Sequence, residues 1–144
     1  MRWIWPPDSI LVLNLKKMVD YSDSLNAIKY LLEKDFENKL CVECKSPKPS
    51  YASINNAILL CENCAEKHKE LGYNISYIRD LKDEWDHYLL AYLERGGNSR
   101  YIRLCEQYDL NNMPIAEKLN TKILEYYRLL VSIYILILTI FKNR

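Results

Sequence analysis

Residues 41–64 read CVECKSPKPSYASINNAILLCENC, two Cys-x2-Cys pairs separated by sixteen residues. Each pair, Cys41 with Cys44 and Cys61 with Cys64, can grip one ion from a tight knuckle. Four thiolates in a tetrahedron suit Zn²⁺, which holds a fold without redox chemistry. All four positions would be filled by protein, so the expected ion is one structural zinc. Residues 51–54 and 57–60 flank Asn55-Asn56 and predict two short strands around a tight turn, a hairpin that brings the cysteine pairs together. Two other uses of four cysteines fit less well. Disulfides need an oxidising compartment, and an iron–sulfur cluster lacks one of its usual spacings here.

Outward from this core the pattern is helical. Upstream, Leu25, Ile28, Leu31, Leu32 and Phe36 predict one helical face, with Ser22 or Ser24 as cap and Asn38 at the end. Downstream, residues 64–71 suit a short helix closed by Gly72, and residues 75–79 a third strand. Trp85, Tyr88, Leu89, Tyr92 and Leu93 form a stripe that stops at Gly96-Gly97. Asn98 is the expected cap of the next helix, in which Ile102, Cys105 and Tyr108 share a face and Cys105 is a packed core thiol. Pro114 suits the first turn of a last helical region with Leu119, Ile123, Tyr126 and Tyr127 inward. The fold class is α+β, mostly helical.

The 144 residues are 49% hydrophobic and 27% charged, which describes a globular chain of about one domain. Three Gly and five Pro exclude collagen-like and linker-dominated chains. Twenty basic and nineteen acidic residues leave a net charge of +1, so no global charge draws the chain to nucleic acid. Locally, Lys67, Lys69 and Arg79 are interleaved with Glu66, Glu70, Asp80, Asp83 and Glu84, which is a solvated face before it is a phosphate-binding one.

Both ends are apolar. Residues 1–21 form an extension with Trp3, Ile4 and Trp5, broken by Pro6-Pro7, without the long apolar run and cleavage site of a secretory signal. Residues 129–141 (LLVSIYILILTIF) carry no charge and, as a helix, would span about 20 Å, short of the hydrocarbon core. This 129–144 tail is either a buried element or a segment that touches a membrane or a partner chain. The organisation expected is an extension at 1–21, a zinc-finger domain at 22–128 and the tail at 129–144.

Taken jointly, the cysteine spacing, residues 49–55 (PSYASIN), His68, Leu71-Gly72, Ile75-Ser76, Arg79, Trp85, Gly96-Gly97-Asn98, residues 113–122 (MPIAEKLNTK) and Tyr126-Tyr127-Arg128 resemble the Arf GTPase-activating-protein (ArfGAP) zinc-finger family, in its small Golgi-type branch. The resemblance runs from about residue 25 to 128. It implies a three-stranded sheet beside a four-cysteine zinc site, surrounded by helices. It also implies an Arf-family GTPase as partner, stimulation of GTP hydrolysis, and a cytoplasmic place at Golgi membranes in vesicle trafficking. In the family the residue after this His is an arginine that enters the GTPase site, and here it is Lys69. Lysine keeps the charge and loses the planar fork, so weakened stimulation is expected. Tyr51, Ile58 and Arg79 are the expected GTPase-facing residues around that position. Family glycines are replaced by Ala57 and Glu66, which puts a positive-φ demand on an alanine and a carboxylate one turn from Lys69. A non-catalytic scaffold or structural subunit is the alternative that these departures and the apolar ends suggest.

Overall fold

The computed structural model describes residues 24–142. The 1–21 extension, Trp3, Ile4, Trp5 and the candidate cap Ser22 lie outside the described residues. The chain forms α1 (Ser24–Lys34), a 3₁₀ turn (Phe36–Lys39), β1 (Tyr51–Ser53), β2 (Ile58–Leu60), α2 (Glu62–Lys69), β3 (Ile78–Asp80), α3 (His87–Arg95), α4 (Asn98–Gln107), α5 (Ile115–Leu119) and α6 (Lys122–Lys142). The expected α+β, mostly helical architecture is what forms: among the described residues, one three-stranded antiparallel sheet, order β2-β1-β3, with six helices.

The hairpin turns where Asn55-Asn56 placed it. Ser53 pairs with Ile58, and the Ala57 amide donates to the Ile54 carbonyl at 3.0 Å. Ala57 takes the left-handed conformation, φ +54°, at a position where glycine costs nothing. Gly96 packs directly on it: a Cβ at residue 96 would fall 2.2 Å from the Ala57 Cβ and 2.9 Å from its carbonyl oxygen. The third strand starts three residues later than expected, because Ile75 and Ser76 first donate back to the Gly72 carbonyl in a turn.

Several helices are rotated relative to the periodicity. Ala27, Ile28 and Leu31 face the core in α1, while Leu25 and Phe36 are exposed. Helix α1 ends at Lys34, and Asp35 caps a separate 3₁₀ turn whose new phase turns Phe36 outward. In α3, Leu90, Ala91, Tyr92 and Leu93 are buried and Tyr88 is not, since α3 packs against both α1 and α6. The last helical region is two helices. Asn120 closes α5, and α6 buries Leu124 and Tyr127 while Tyr126 points outward. Helix α6 continues unbroken past residue 128, with Val131, Tyr134, Ile135 and Leu138 in the core.

Asn98 departs from its expected capping role. Gly97, φ +93°, occupies the cap position, and the Asn98 side chain turns fully inward. Its Oδ1 accepts from the Leu59 amide at 2.8 Å, and its Nδ2 donates to the carbonyls of Glu37 (2.9 Å) and Leu40 (2.8 Å). The Asn98 amide in turn donates to Asn38 Oδ1 at 2.9 Å. One side chain therefore ties the start of α4 to β2 and to the loop that leads into Cys41. Cys105 is buried, as its helical face indicated.

Candidate functional site

The structure brings the four knuckle cysteines together. Cys41 and Cys44 lie on a turn in which the Lys45 amide donates to the Cys41 carbonyl at 2.9 Å, with Lys45 itself at φ +64°. Cys61 is the residue before α2 and Cys64 sits in its first turn. Their Sγ atoms all lie within 4.8 Å of one another, and Cys44 and Cys61 are 3.6 Å apart. A tetrahedral ion with metal–sulfur bonds of about 2.3 Å would set sulfurs ~3.8 Å apart, so the cluster fits one four-coordinate cation. A hydrogen bond with the Ser46 hydroxyl, 3.2 Å away, pulls the Cys44 thiol down to about 6. Burial pushes the Cys41 and Cys64 thiols up. Holding all four as thiolates therefore calls for a positive centre among them.

Helix α2 carries the site's other surface. Lys69, at its last turn, is exposed; its Nζ donates to Glu66 Oε1 at 2.8 Å and lies 5.3 Å from the centre of the Tyr51 ring. Its ammonium is held above the usual lysine range, first by the hydrogen bond to Glu66. On β3, Arg79 donates to the Tyr77 hydroxyl (3.1 Å) and the Glu84 carbonyl (2.6 Å) and stacks 5.8 Å from the Trp85 ring, whose Nε1 donates to the Asp80 carbonyl at 3.1 Å. Tyr51 and Lys69 share one face of β1, over which α2 packs, while Arg79, paired with Ala52, points to the opposite face of the sheet. Ile58, which pairs with Ser53 and so points to the same face as Tyr51, is 0% exposed and offers no surface.

Below this surface runs a buried chain of polar side chains that the sequence did not disclose. Glu43, between the first two cysteines, pairs with Lys118 and accepts from His68 Nε2 at 3.1 Å. His68 Nδ1 meets the Ser76 hydroxyl at 2.9 Å, and Ser76 meets Ser53 at 2.7 Å. Asn56 Nδ2 donates to Ser53 at 2.9 Å, and Arg128 donates to Asn56 Oδ1 at 3.1 Å. Burial works to raise the Glu43 carboxyl, but the His68 hydrogen bond and the Lys118 charge outweigh it and hold it below the usual range. His68, Ser76 and Arg128 stood among the residues that carried the resemblance, but nothing in their spacing paired them.

The ArfGap family model, described as "Putative GTPase activating protein for Arf", matches residues 25–130. The chain belongs to the ArfGAP family. An ArfGAP relative, mouse "ADP-ribosylation factor GTPase-activating protein 3", is 32% identical over 93 residues, covering 63% of this chain and 18% of its own length. "ADP-ribosylation factor GTPase-activating protein AGD2" of Arabidopsis thaliana is 33% identical over 99 residues, 65% of this chain and 12% of its own. The chain thus spans under a fifth of the length of these curated relatives. Among solved structures, a "putative GTPase activating protein for ADP ribosylation factor" from Cryptosporidium parvum superposes with a TM-score of 0.72 at 24% identity, over 81% of this chain and 94% of its own. That likeness concerns the fold alone.

Proposed function

We propose that this chain is a zinc-held module that docks on an Arf-family GTPase and stimulates GTP hydrolysis weakly, at the cytoplasmic face of Golgi-type membranes in vesicle trafficking. Cys41, Cys44, Cys61 and Cys64 would hold one zinc ion whose role is structural, because no ligand position is left for substrate. Tyr51, beside Lys69, would line the docking face with Ile58 buried next to it, and Arg79 would reach the GTPase from the other face of the sheet, past the loop it holds through Tyr77, Glu84 and Trp85. Lys69 would carry positive charge towards the nucleotide phosphates.

The observation that carries this reading is the state of Lys69. It is exposed, held over Tyr51 and already paired with Glu66 at 2.8 Å. A finger residue stabilises charge that spreads over the γ-phosphate oxygens, and an arginine does so with two parallel hydrogen bonds. Lys69 offers a point charge, and its neighbour's carboxylate competes with the phosphate for it. The same pairing favours the second reading, a non-catalytic scaffold that keeps the docking face.

Single-turnover GTP hydrolysis by Arf-type GTPases separates the two. Under the first reading the wild-type chain accelerates hydrolysis measurably. Lys69→Arg then gains at least tenfold, and Glu66→Gln, which removes the competing charge, gains as well. Binding without acceleration by any of the three proteins would leave the scaffold reading standing. Absence of binding to every Arf-type GTPase tried would remove both.

A further inference from the structure

Helix α6 has two apolar faces, and among the described residues one of them is used by the core. Leu124, Tyr127, Val131, Tyr134, Ile135 and Leu138 are buried. On the opposite side, Tyr126, Leu129, Ile133, Leu136 and Ile140 are between 42% and 55% exposed. Their spacing is three, four, three, four, so they form one straight seam about 21 Å long on a 3.5-residue repeat. Ile137 and Phe141 widen it at one flank, while Glu125, Ser132 and Thr139 mark the polar border at the other.

We infer that this seam is the interface for a second copy of the chain, paired through α6 in a parallel two-stranded coil. The residue types choose the occupant. In heptad terms Tyr126, Ile133 and Ile140 fall at one core position and Leu129 and Leu136 at the other. Branched Ile at the first and Leu at the second is the combination that favours parallel pairs. The area is compatible: seven side chains of this size, each about half exposed, leave on the order of 600 Å² per copy, so that two copies approach the lower end of stable interfaces.

A lipid occupant fits less well. Helix α6 has the length and hydropathy of a membrane span, but 39% of its most apolar window is buried, and Arg128 on its inner face is bonded to Asn56. Moving it into a bilayer would strip the core. A helix lying on a membrane surface needs cations along its flanks, and within residues 122–141 the exposed charged side chains are Lys122 and Glu125, which pair with each other at 3.3 Å.

The test is the mass of the full zinc-loaded chain, measured by light scattering on a sizing column at tens of micromolar. Twice the chain mass is expected for the wild type, and one chain mass for Ile133→Lys and for Ile140→Lys, each still carrying one equivalent of zinc. Should Ile133→Lys fail to fold, Ile140→Lys near the helix end carries the comparison alone. Leu136→Cys should cross-link to its own copy under mild oxidation, and wild type should not, because a parallel pair sets residue 136 opposite itself, whereas an antiparallel pair overlapping along the whole seam sets residue 133 there and keeps the two 136 positions about 9 Å apart. A wild type at one chain mass overturns the inference, whether residues 1–21 or a vesicle surface then covers the seam. So does a double mass that both lysine variants leave unchanged, and a Leu136→Cys dimer that does not cross-link overturns the parallel pairing.

Discussion

Two contacts at the level of single residues leave almost no room for change. Gly96 has no space for a methyl group, because the site is already filled by the Cβ and carbonyl of Ala57. Gly96→Ala should cost about 3 kcal/mol or more, since backbone rather than a flexible side-chain tip must move. Ala57→Gly removes the nearer of the two obstacles, so the double variant should be less damaged than Gly96→Ala alone, a coupling that denaturant melts of the four proteins would measure. Asn98 is the second such place. Asn98→Ala strands the Leu59 amide and the Leu40 carbonyl and leaves the Glu37 carbonyl with the Leu40 amide alone, and at about 1–3 kcal/mol for each stranded group the expected loss is on the order of 3 kcal/mol. A urea midpoint within experimental error of wild type would refute this account of Asn98.

Among the elements, α6 carries the most burial beyond the sheet. Val131, Tyr134, Ile135 and Leu138 pack into the core after residue 128. A chain ending at Arg128 loses all four, and at roughly 1.5–3 kcal/mol per buried apolar side chain that approaches the whole stability of a small domain. The expected outcome is a truncated chain without a cooperative thermal transition, read by circular dichroism. How far such elements were legible varies with the physics that defines them. The hairpin and the cysteine cluster could be read closely, because thiol spacing and the Asn55-Asn56 turn are local instructions. The existence of the helices was legible too, but not which side of them faces inward. Leu25, Tyr88 and Tyr126 are apolar residues on helices rich in apolar residues, and only the packing of α3 between α1 and α6 decides their direction. The Glu43–His68–Ser76–Ser53–Asn56–Arg128 chain was invisible for a related reason: its partners are up to 72 residues apart, and no periodicity links them.

Over the whole molecule, folding and metal binding should be one event. The strands are three residues each, and the ligands straddle the hairpin, so chelation of zinc should abolish the unfolding transition and re-addition should restore it. Exchange of the Leu59 and Leu60 amides, followed before and after chelation, would report this directly; protection that survives in the metal-free protein would contradict it. The buried polar chain has a further consequence, a sense of direction. Arg128 donates to Asn56 and Asn56 to Ser53, and an ionised Glu43 can only accept from His68; with His68 carrying its one proton on Nε2, the remaining links run the same way, Ser53 to Ser76 and Ser76 to His68 Nδ1. Every hydrogen in the row points towards the first cysteine knuckle, like a zip fastener whose teeth all lean one way. A replacement that keeps size but reverses a donor or acceptor anywhere along it, Asn56→Asp for instance, misaligns its neighbours as well as itself. The first turns of α6 and the loop between Cys41 and Cys44 thus obey a single grammar, though they lie far apart in sequence.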